Sequence, residues 1–183
     1  MMELKTKRLI LREYNSDDVK EIALKINNLE VSKYLAVVPY PYELKDAEWF
    51  VRDCLKDKDK NPREKYDLAV TLNESGEFIG GAGLSNIDHH VGSAELGYWL
   101  EENSWRKGFM SEAVCALIDF AFDELKLNRL VIPAYVPNAG SNGLAEKLGF
   151  KFEGTQRESA RTKSTGKLYD TNYWGLLKGE WKR

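Results

Sequence analysis

Cysteine and histidine are scarce in this sequence, and neither is arranged to hold a metal. The 183 residues include two cysteines and two histidines. Cys54 and Cys115 have no partner at CxxC spacing, and His89 and His90 are adjacent, which is not the spacing of a metal site. We therefore predict no metal site and no zinc or disulfide scaffold, and we interpret both cysteines as packing residues.

Long apolar runs and an excess of one charge are also missing. No segment approaches the roughly 20 apolar residues that cross a bilayer, and the first residues lack the apolar stretch of a signal peptide. The 27 basic and 29 acidic side chains leave a net charge of −2. The sequence therefore predicts a cytoplasmic protein with no membrane partner and no direct nucleic-acid binding.

The remaining composition, 43% apolar and 31% charged, is that of a globular protein. By its length the chain fits one domain, which we predict to span residues 1–183. Apolar periodicity predicts an α+β (mixed α/β) order of elements. Helices are expected at 17–26, 47–55, 110–125 and within 139–148, and strands at 8–12, 66–72, 77–84, 92–100, 129–136, 150–157 and 167–177.

Two details of the helices can also be predicted. The first helix follows Ser16, whose hydroxyl is expected to cap the free amides, while Asp17 and Asp18 face the positive helix end. In the second helix, Cys54 falls on the apolar stripe and is expected to be buried.

The segment 105–112 lies between a predicted strand and the long helix. Backbone amides at a helix start are unpaired and carry partial positive charge, so they can bind phosphate or pyrophosphate. Gly108 permits close backbone approach, and Arg106 and Lys107 add positive charge. The alternative is an ordinary turn with exposed basic residues. The glycine spacing of a Walker loop or a dinucleotide fingerprint is absent.

A second segment, 136–150, contains a short helix with recognisable ends. Asn138 is expected to cap this helix, and Gly149 can take the left-handed conformation at its end. Ser141, three residues beyond Asn138, is not explained by capping. Its hydroxyl is expected to face the same crevice as the phosphate loop.

These two segments together resemble the acetyl-CoA-binding signature of the GNAT N-acetyltransferase superfamily. The segments 6–12, 95–100 and 173–181 resemble its RimJ/RimL-like branch, whose members acetylate the N-terminal α-amine of ribosomal proteins. The resemblance implies a GNAT-like fold: a central, mostly antiparallel sheet of six to seven strands, with a splay between the fourth and fifth strands and helices on both faces. It also implies acetyl-CoA as cofactor, and it is compatible with a homodimer.

The resemblance assigns the cofactor site residue by residue. The pyrophosphate loop of the family falls on 105–110, where Trp105 replaces the usual Gln or Arg and Met110 replaces the usual Gly or Ala. The pantetheine arm is expected to pair with backbone groups of strand 92–100 and to lie near Asn138 and Ser141. The implied cofactor-binding residues are Tyr98, Trp99, Leu100, Trp105, Arg106, Lys107, Gly108, Phe109, Met110, Ser111, Asn138 and Ser141.

Acetyl transfer needs a neutral amine and a proton for the leaving thiolate. Ser141 is the expected proton donor, and Glu95 is the expected base, acting through a water. Glu95 in a structural ion pair, or His89 or His90 as the base, are the alternatives.

The acceptor is expected to be a primary amine, first of all the N-terminus of a ribosomal protein. A polyamine or aminoglycoside is the alternative, since Glu30, Glu43 and Asp46 could form an acidic pocket for it. A third hypothesis is a module that binds acetyl-CoA but does not catalyse acetyl transfer.

Overall fold

The computed structural model describes residues 2–182, so positions 1 and 183 of the predicted domain lie outside the described residues. The strands are β1 Glu3–Lys5, β2 Leu9–Glu13, β3 Tyr66–Leu72, β4 Phe78–Asp88, β5 Ser93–Leu100, β6 Arg129–Tyr135, β7 Lys151–Arg161 and β8 Leu168–Leu177. The α-helices are α1 Asp18–Ile26, α2 Leu29–Ser32, α3 Leu44–Asp57, α4 Phe109–Asp119 and α5 Ala139–Lys147. A π-helical turn, Phe120–Glu124, continues α4. Within residues 2–182, no helix combines the length and the apolar character that a bilayer span requires.

The strands form one sheet in the order β1-β2-β3-β4-β5-β6-β8-β7. Every neighbouring pair is antiparallel except β5 and β6, which run parallel. The mixed, mostly antiparallel fold is therefore confirmed. The sheet has eight strands rather than six to seven, because the three-residue β1 is too short to leave a pattern of alternation in the sequence.

The two parallel strands separate soon after they begin to pair. Pairing starts at Ser93 with Arg129 and ends at Glu95 with Val131, although β5 continues to Leu100. The predicted splay is confirmed, and it lies between β5 and β6 once β1 is counted. Pro133 lies beyond the last pair, where its missing N–H costs the sheet no bond to β5.

A hydrophobic core lies on each face of the sheet, as expected. Successive strand residues point to opposite faces, so Leu68 and Val70 pack with α4, whereas Ala69 packs with α1 and α3. Cys54 of α3 is 6% exposed in the second core, which confirms its predicted burial. Cys115 is half-buried and is also a free thiol.

The predicted cap of the first helix is wrong. The N-cap residue of α1 is Asp17, and no side chain caps the helix. The turn is organised instead by the buried carboxylate of Asp18, which accepts hydrogen bonds from Nη1 and Nη2 of Arg12 at 2.8 and 2.7 Å. It also accepts one from the backbone N–H of Asn15 at 2.9 Å. This pair between Asp18 and Arg12, six positions earlier in the chain, organises the turn, and the side chain of Ser16 makes no capping hydrogen bond.

Candidate active site

A cavity of about 710 Å³ lies where β5 and β6 separate. Its lining includes residues from both faces of the sheet. Asn138 and Ser141 of the α5 start line one part, and Tyr14 and Phe50 from the core beside α1 and α3 line another. The gap in the sheet therefore connects two compartments, and two molecules could meet there from opposite sides.

The side chains of β5 alternate between these two compartments. Leu96, Tyr98 and Leu100 pack toward the core beside α4, so Glu95, Gly97 and Trp99 face the side of α1 and α3. Glu95 and Ser141 both line the cavity, but Glu95 lies on the face opposite to the Tyr98 side chain. The two residues predicted to handle protons therefore approach the gap from different sides.

Ser141 is held in a pair with a second hydroxyl. Its Oγ lies 2.9 Å from the phenolic oxygen of Tyr98, and its backbone N–H donates to the side chain of Asn138 at 3.2 Å. Burial raises the pKa of Tyr98 to about 12, although its hydrogen bond with Ser141 acts in the opposite direction. The phenol is therefore protonated at neutral pH. The Tyr98 hydroxyl was missed as a site group, since nothing in the sequence links β5 to α5.

The loop 105–110 has the backbone shape of an anion site. Arg106 and Gly108 have φ of +58° and +80°, both left-handed, and α4 begins directly after Gly108 with no side-chain cap. Successive amides in such a loop point to a common concavity, and the helix start adds partial positive charge. Arg106 and Lys107 are exposed beside it, while Phe109 and Met110 pack partly on the core and Ser111 is half-buried.

Trp105 connects this loop to the end of β5. Its indole N–H donates to the backbone carbonyl of Leu100 at 2.8 Å. The tryptophan therefore has a structural reason to occupy the first position of the loop. It also uses one of the backbone groups of Leu100.

Backbone groups of β5 beyond the last pair with β6 are the groups that a ligand amide would meet. The Trp99 carbonyl faces β4, because a Cβ added at Gly80 would lie 2.2 Å from it. Strand backbone groups alternate in direction, so those of Tyr98 and Leu100 face the gap. The Leu100 carbonyl already accepts a hydrogen bond from the Trp105 indole. The N–H of Leu100 and the N–H and carbonyl of Tyr98 are therefore the groups that can form hydrogen bonds with a ligand. Trp99 contributes its side chain on the other face.

A clamp on the loop was not foreseen from the sequence. Glu112 accepts hydrogen bonds from the Thr6 hydroxyl at 2.6 Å and from N and Nε of Arg8 at 2.7 Å. Arg8 also donates to the carbonyl of Lys107 at 2.9 Å, and its guanidinium lies 4.6 Å from the centre of the Phe109 ring. The segment before β2 thus fixes the loop from outside.

Glu112→Gln is expected to destabilise the protein in a pH-dependent way. Burial favours a higher pKa for Glu112, but hydrogen bonds from Thr6 and Arg8 outweigh it and hold the pKa below its ordinary value. The stabilisation is complete above the unfolded pKa near 4.3 and is lost as pH falls through the lower folded value. Melting curves from about pH 3 to 7 should therefore show a Tm difference from wild type that shrinks in acid. Glu74→Gln, in the exposed β3–β4 turn, is the control. A Tm difference between Glu112→Gln and wild type that does not change with pH would contradict the stabilising role of the Glu112 carboxylate.

The candidate general bases differ in whether they line the cavity and in what they contact. His89 and His90 do not line the cavity, and the His89 ring is 2.9 Å from the Arg63 carbonyl. Glu95 lines the cavity and is half-buried. Within the part of the chain that the structure describes, no hydrogen bond or ion pair engages its carboxylate, so the structural ion pair considered above has no partner there.

The acidic pocket considered for a small amine is not assembled. Glu30 forms an exposed ion pair with Lys33, and Glu43 is the N-cap residue of α3. Asp46 does line the cavity, but its carboxylate accepts the backbone N–H of Glu43 at 2.8 Å. Asp67, another cavity carboxylate, lies 3.3 Å from Nζ of Lys65.

Two loops meet at the rim of the cavity on the side of α1 and α3. The backbone N–H of Lys163 donates to the carbonyl of Ala36 at 3.2 Å, and both residues line the cavity. Beside them, the Ser164 hydroxyl donates to the carbonyl of Ser32 at 3.0 Å. We call this pair of hydrogen bonds the loop bridge. It joins the end of α2 and the loop that follows to the β7–β8 turn.

Comparisons with known proteins agree with this geometry. The family model of an acetyltransferase (GNAT) domain matches residues 8–151. N-acetyltransferase p20 of Bacillus licheniformis is 34% identical over 183 residues, which cover 99% of this chain and 99% of that protein. The ribosomal-protein-serine acetyltransferase of Escherichia coli (strain K12) is 36% identical over 94 residues, 51% of this chain and 52% of that protein. A solved structure described as a probable acetyltransferase has a TM-score of 0.85 at 27% identity and covers 99% of both chains.

Proposed function

The chain belongs to the GNAT acetyltransferase family, in its RimJ/RimL-like branch, and on that premise we propose that it acetylates the N-terminal α-amine of a protein. The observation that carries the proposal is the cavity at the β5–β6 gap, which is lined from both faces of the sheet. Such a passage lets the acetyl donor and the amine approach each other directly. No covalent acetyl-enzyme is needed.

The residues on one side of the gap fit acetyl-CoA. The loop 105–110 offers uncapped amides and exposed cations for a pyrophosphate, and Tyr98 and Leu100 offer backbone groups for the amides of pantetheine. Acetyl-CoA, when bound, supplies an activated thioester. Ser111 and Asn138 lie at the starts of the two helices that flank this side. We assign these residues to cofactor binding.

We assign Ser141 as the proton donor to the leaving thiolate. Its Oγ holds a proton, and the Tyr98 hydroxyl 2.9 Å away can replace that proton because it is itself protonated at neutral pH. In this proposal the backbone N–H of Tyr98, which also faces the gap, stabilises the negative charge that develops on the thioester carbonyl oxygen, while the N–H of Leu100 binds a pantetheine amide. The chain thus offers a proton donor and an oxyanion donor on the cofactor side.

Glu95→Gln is expected to lower kcat/KM about tenfold at pH 7. Glu95 faces the acceptor side and takes a proton from the amine through a water in this proposal. An α-amine with a pKa near 7.7 to 8.0 is partly neutral at pH 7, so the effect is moderate and shrinks above about pH 8.5. Initial rates across that pH range test this. Glu48→Gln, on the exposed face of α3, is the control, and a loss that is constant with pH would contradict the role.

The acceptor is proposed to be a ribosomal protein for two reasons. The Escherichia coli relative is named for acetylating a ribosomal protein on serine. In addition, Glu95 is the one cavity carboxylate that makes no hydrogen bond or ion pair within the described residues, whereas Asp46 accepts the backbone N–H of Glu43 and Asp67 lies beside Lys65. A single amine fits this arrangement better than a polyamine. Ribosomal proteins are made in the cytoplasm, so the proposal implies a cytoplasmic enzyme.

A panel of amines tests the proposed function by the release of free thiol from acetyl-CoA. We expect turnover with ribosomal N-terminal peptides that begin with serine, and none when the same peptides carry a blocked N-terminus and a free lysine. Higher kcat/KM with spermidine or an aminoglycoside than with any peptide would favour the small-amine function. Binding of acetyl-CoA without thiol release from any amine would indicate a non-catalytic module.

A further inference from the structure

One glycine of the central sheet has no structural reason to be a glycine. Gly97 lies in the interior of β5 with ordinary negative φ, and a Cβ added there would meet no atom within 4 Å. Three glycines of β4 differ from it. A Cβ at Gly80, Gly81 or Gly83 would come within 2.2 Å of another residue. Packing therefore explains the glycines of β4 but not Gly97.

The surroundings of Gly97 indicate what fills this space. Gly97 is exposed to the cavity, on the face that also carries Glu95 and Trp99. Residues two apart on a strand are about 7 Å apart, so a carboxylate and an indole flank a stretch of bare backbone. A glycine inside a strand weakens the strand and often marks a site where a ligand approaches the backbone closely. The loop bridge lies on this same side of the sheet, since Leu35 and Val38, which lie on either side of Ala36 in the chain, pack on the core beside α1 and α3.

We propose that the chain that carries the amine lies directly on β5 at Gly97, so that the size of the residue at position 97 limits acceptor binding. The amine is then directed toward Glu95, and the group attached to it passes beside Trp99. A side chain at position 97 would occupy the path of the acceptor without touching the cofactor side, since Tyr98 and Ser141 lie on the other face. This inference rests on the proposed function, because it takes the cavity as the place where the amine is acetylated.

The test compares Gly97→Ala and Gly97→Val with wild type. We expect the KM for the acceptor to rise about tenfold and about 100-fold respectively, while the KM for acetyl-CoA changes less than about twofold. The melting temperature should stay the same or rise, because alanine and valine suit an extended strand better than glycine does. Gly179→Ala is the matched control: a Cβ there also meets nothing within 4 Å, and Gly179 does not line the cavity.

The assay uses the best acceptor that wild type finds in the amine panel. If that acceptor is a polyamine, the proposed peptide function fails, yet the position 97 variants still test the contact with it. Unchanged acceptor KM in Gly97→Val would overturn the inference, and so would an equal rise in the KM for acetyl-CoA. A clear fall in melting temperature would overturn it as well, since it would show that packing requires the glycine. If wild type acetylates no amine, both proposals fail.

Discussion

Ser141→Ala is expected to lower kcat about 100-fold, while the KM for acetyl-CoA changes less than about threefold. The hydroxyl is proposed to protonate the leaving thiolate, and alanine removes that proton source. The fold at this point should survive, because Asn138 accepts a hydrogen bond from the backbone N–H of Ser141 and not from its side chain. The α5 cap is therefore kept in the variant.

Steady-state kinetics at saturating acceptor, together with direct binding of acetyl-CoA, test this expectation. Ser75→Ala, on the exposed β3–β4 turn, is the control serine and should leave both constants unchanged. Tyr98→Phe should cost about tenfold in kcat, because Ser141 then loses the hydroxyl 2.9 Å away. If Ser141→Ala weakened acetyl-CoA binding as much as it slowed turnover, the serine would be a binding residue only.

The largest expected loss of stability follows from the buried carboxylate at the start of α1. Asp18 is 3% exposed and bonds both terminal nitrogens of Arg12. This hydrogen-bonded pair raises the pKa of Arg12 although burial acts against it. Asp18→Ala leaves the guanidinium without its partner and should lower the free energy of unfolding by about 3 kcal/mol.

For a chain of this size, such a loss lowers Tm by about 6 to 12 °C. Urea and thermal unfolding of wild type and Asp18→Ala measure it. Glu3→Ala, which removes the exposed ion pair with Lys5, is the matched control and should change the free energy of unfolding by less than about 1 kcal/mol. Equal effects of the two substitutions would contradict the dominance of the buried pair.

The elements with strong periodicity could be predicted because their signal is local. The apolar stripe of α4 and the hairpin of β3 and β4 appear in the sequence as repeats of one helical or one strand period. The anion-binding shape of loop 105–110 also follows from local residues, chiefly Gly108 before a helix start. β1 was missed, since three residues carry no period.

The parts of the candidate site that could not be predicted depend on distant residues. Arg8 and Glu112 are separated by 104 positions, and Tyr98 and Ser141 by 43. The position of each pair depends on how the sheet twists and splays, which no spacing rule gives. At Asp18 the reason is different: Arg12 is only six positions away, but local capping propensity favoured Ser16 and gave no sign of a buried ion pair. Local sequence patterns therefore indicated which residue types matter, but their contact partners depend on tertiary packing.

The loop bridge has a consequence for which amines can be acetylated. The hydrogen bond from the Lys163 N–H to the Ala36 carbonyl closes the rim at this point, so that an acceptor would enter the cavity end first rather than from the side of the bridge. A chain terminus has a free tip, whereas an amine in the middle of a folded segment brings chain on both sides of it. For the acceptor proposed above, this closed rim would favour the N-terminus of a polypeptide over an amine in its interior, whatever the neighbouring side chains are.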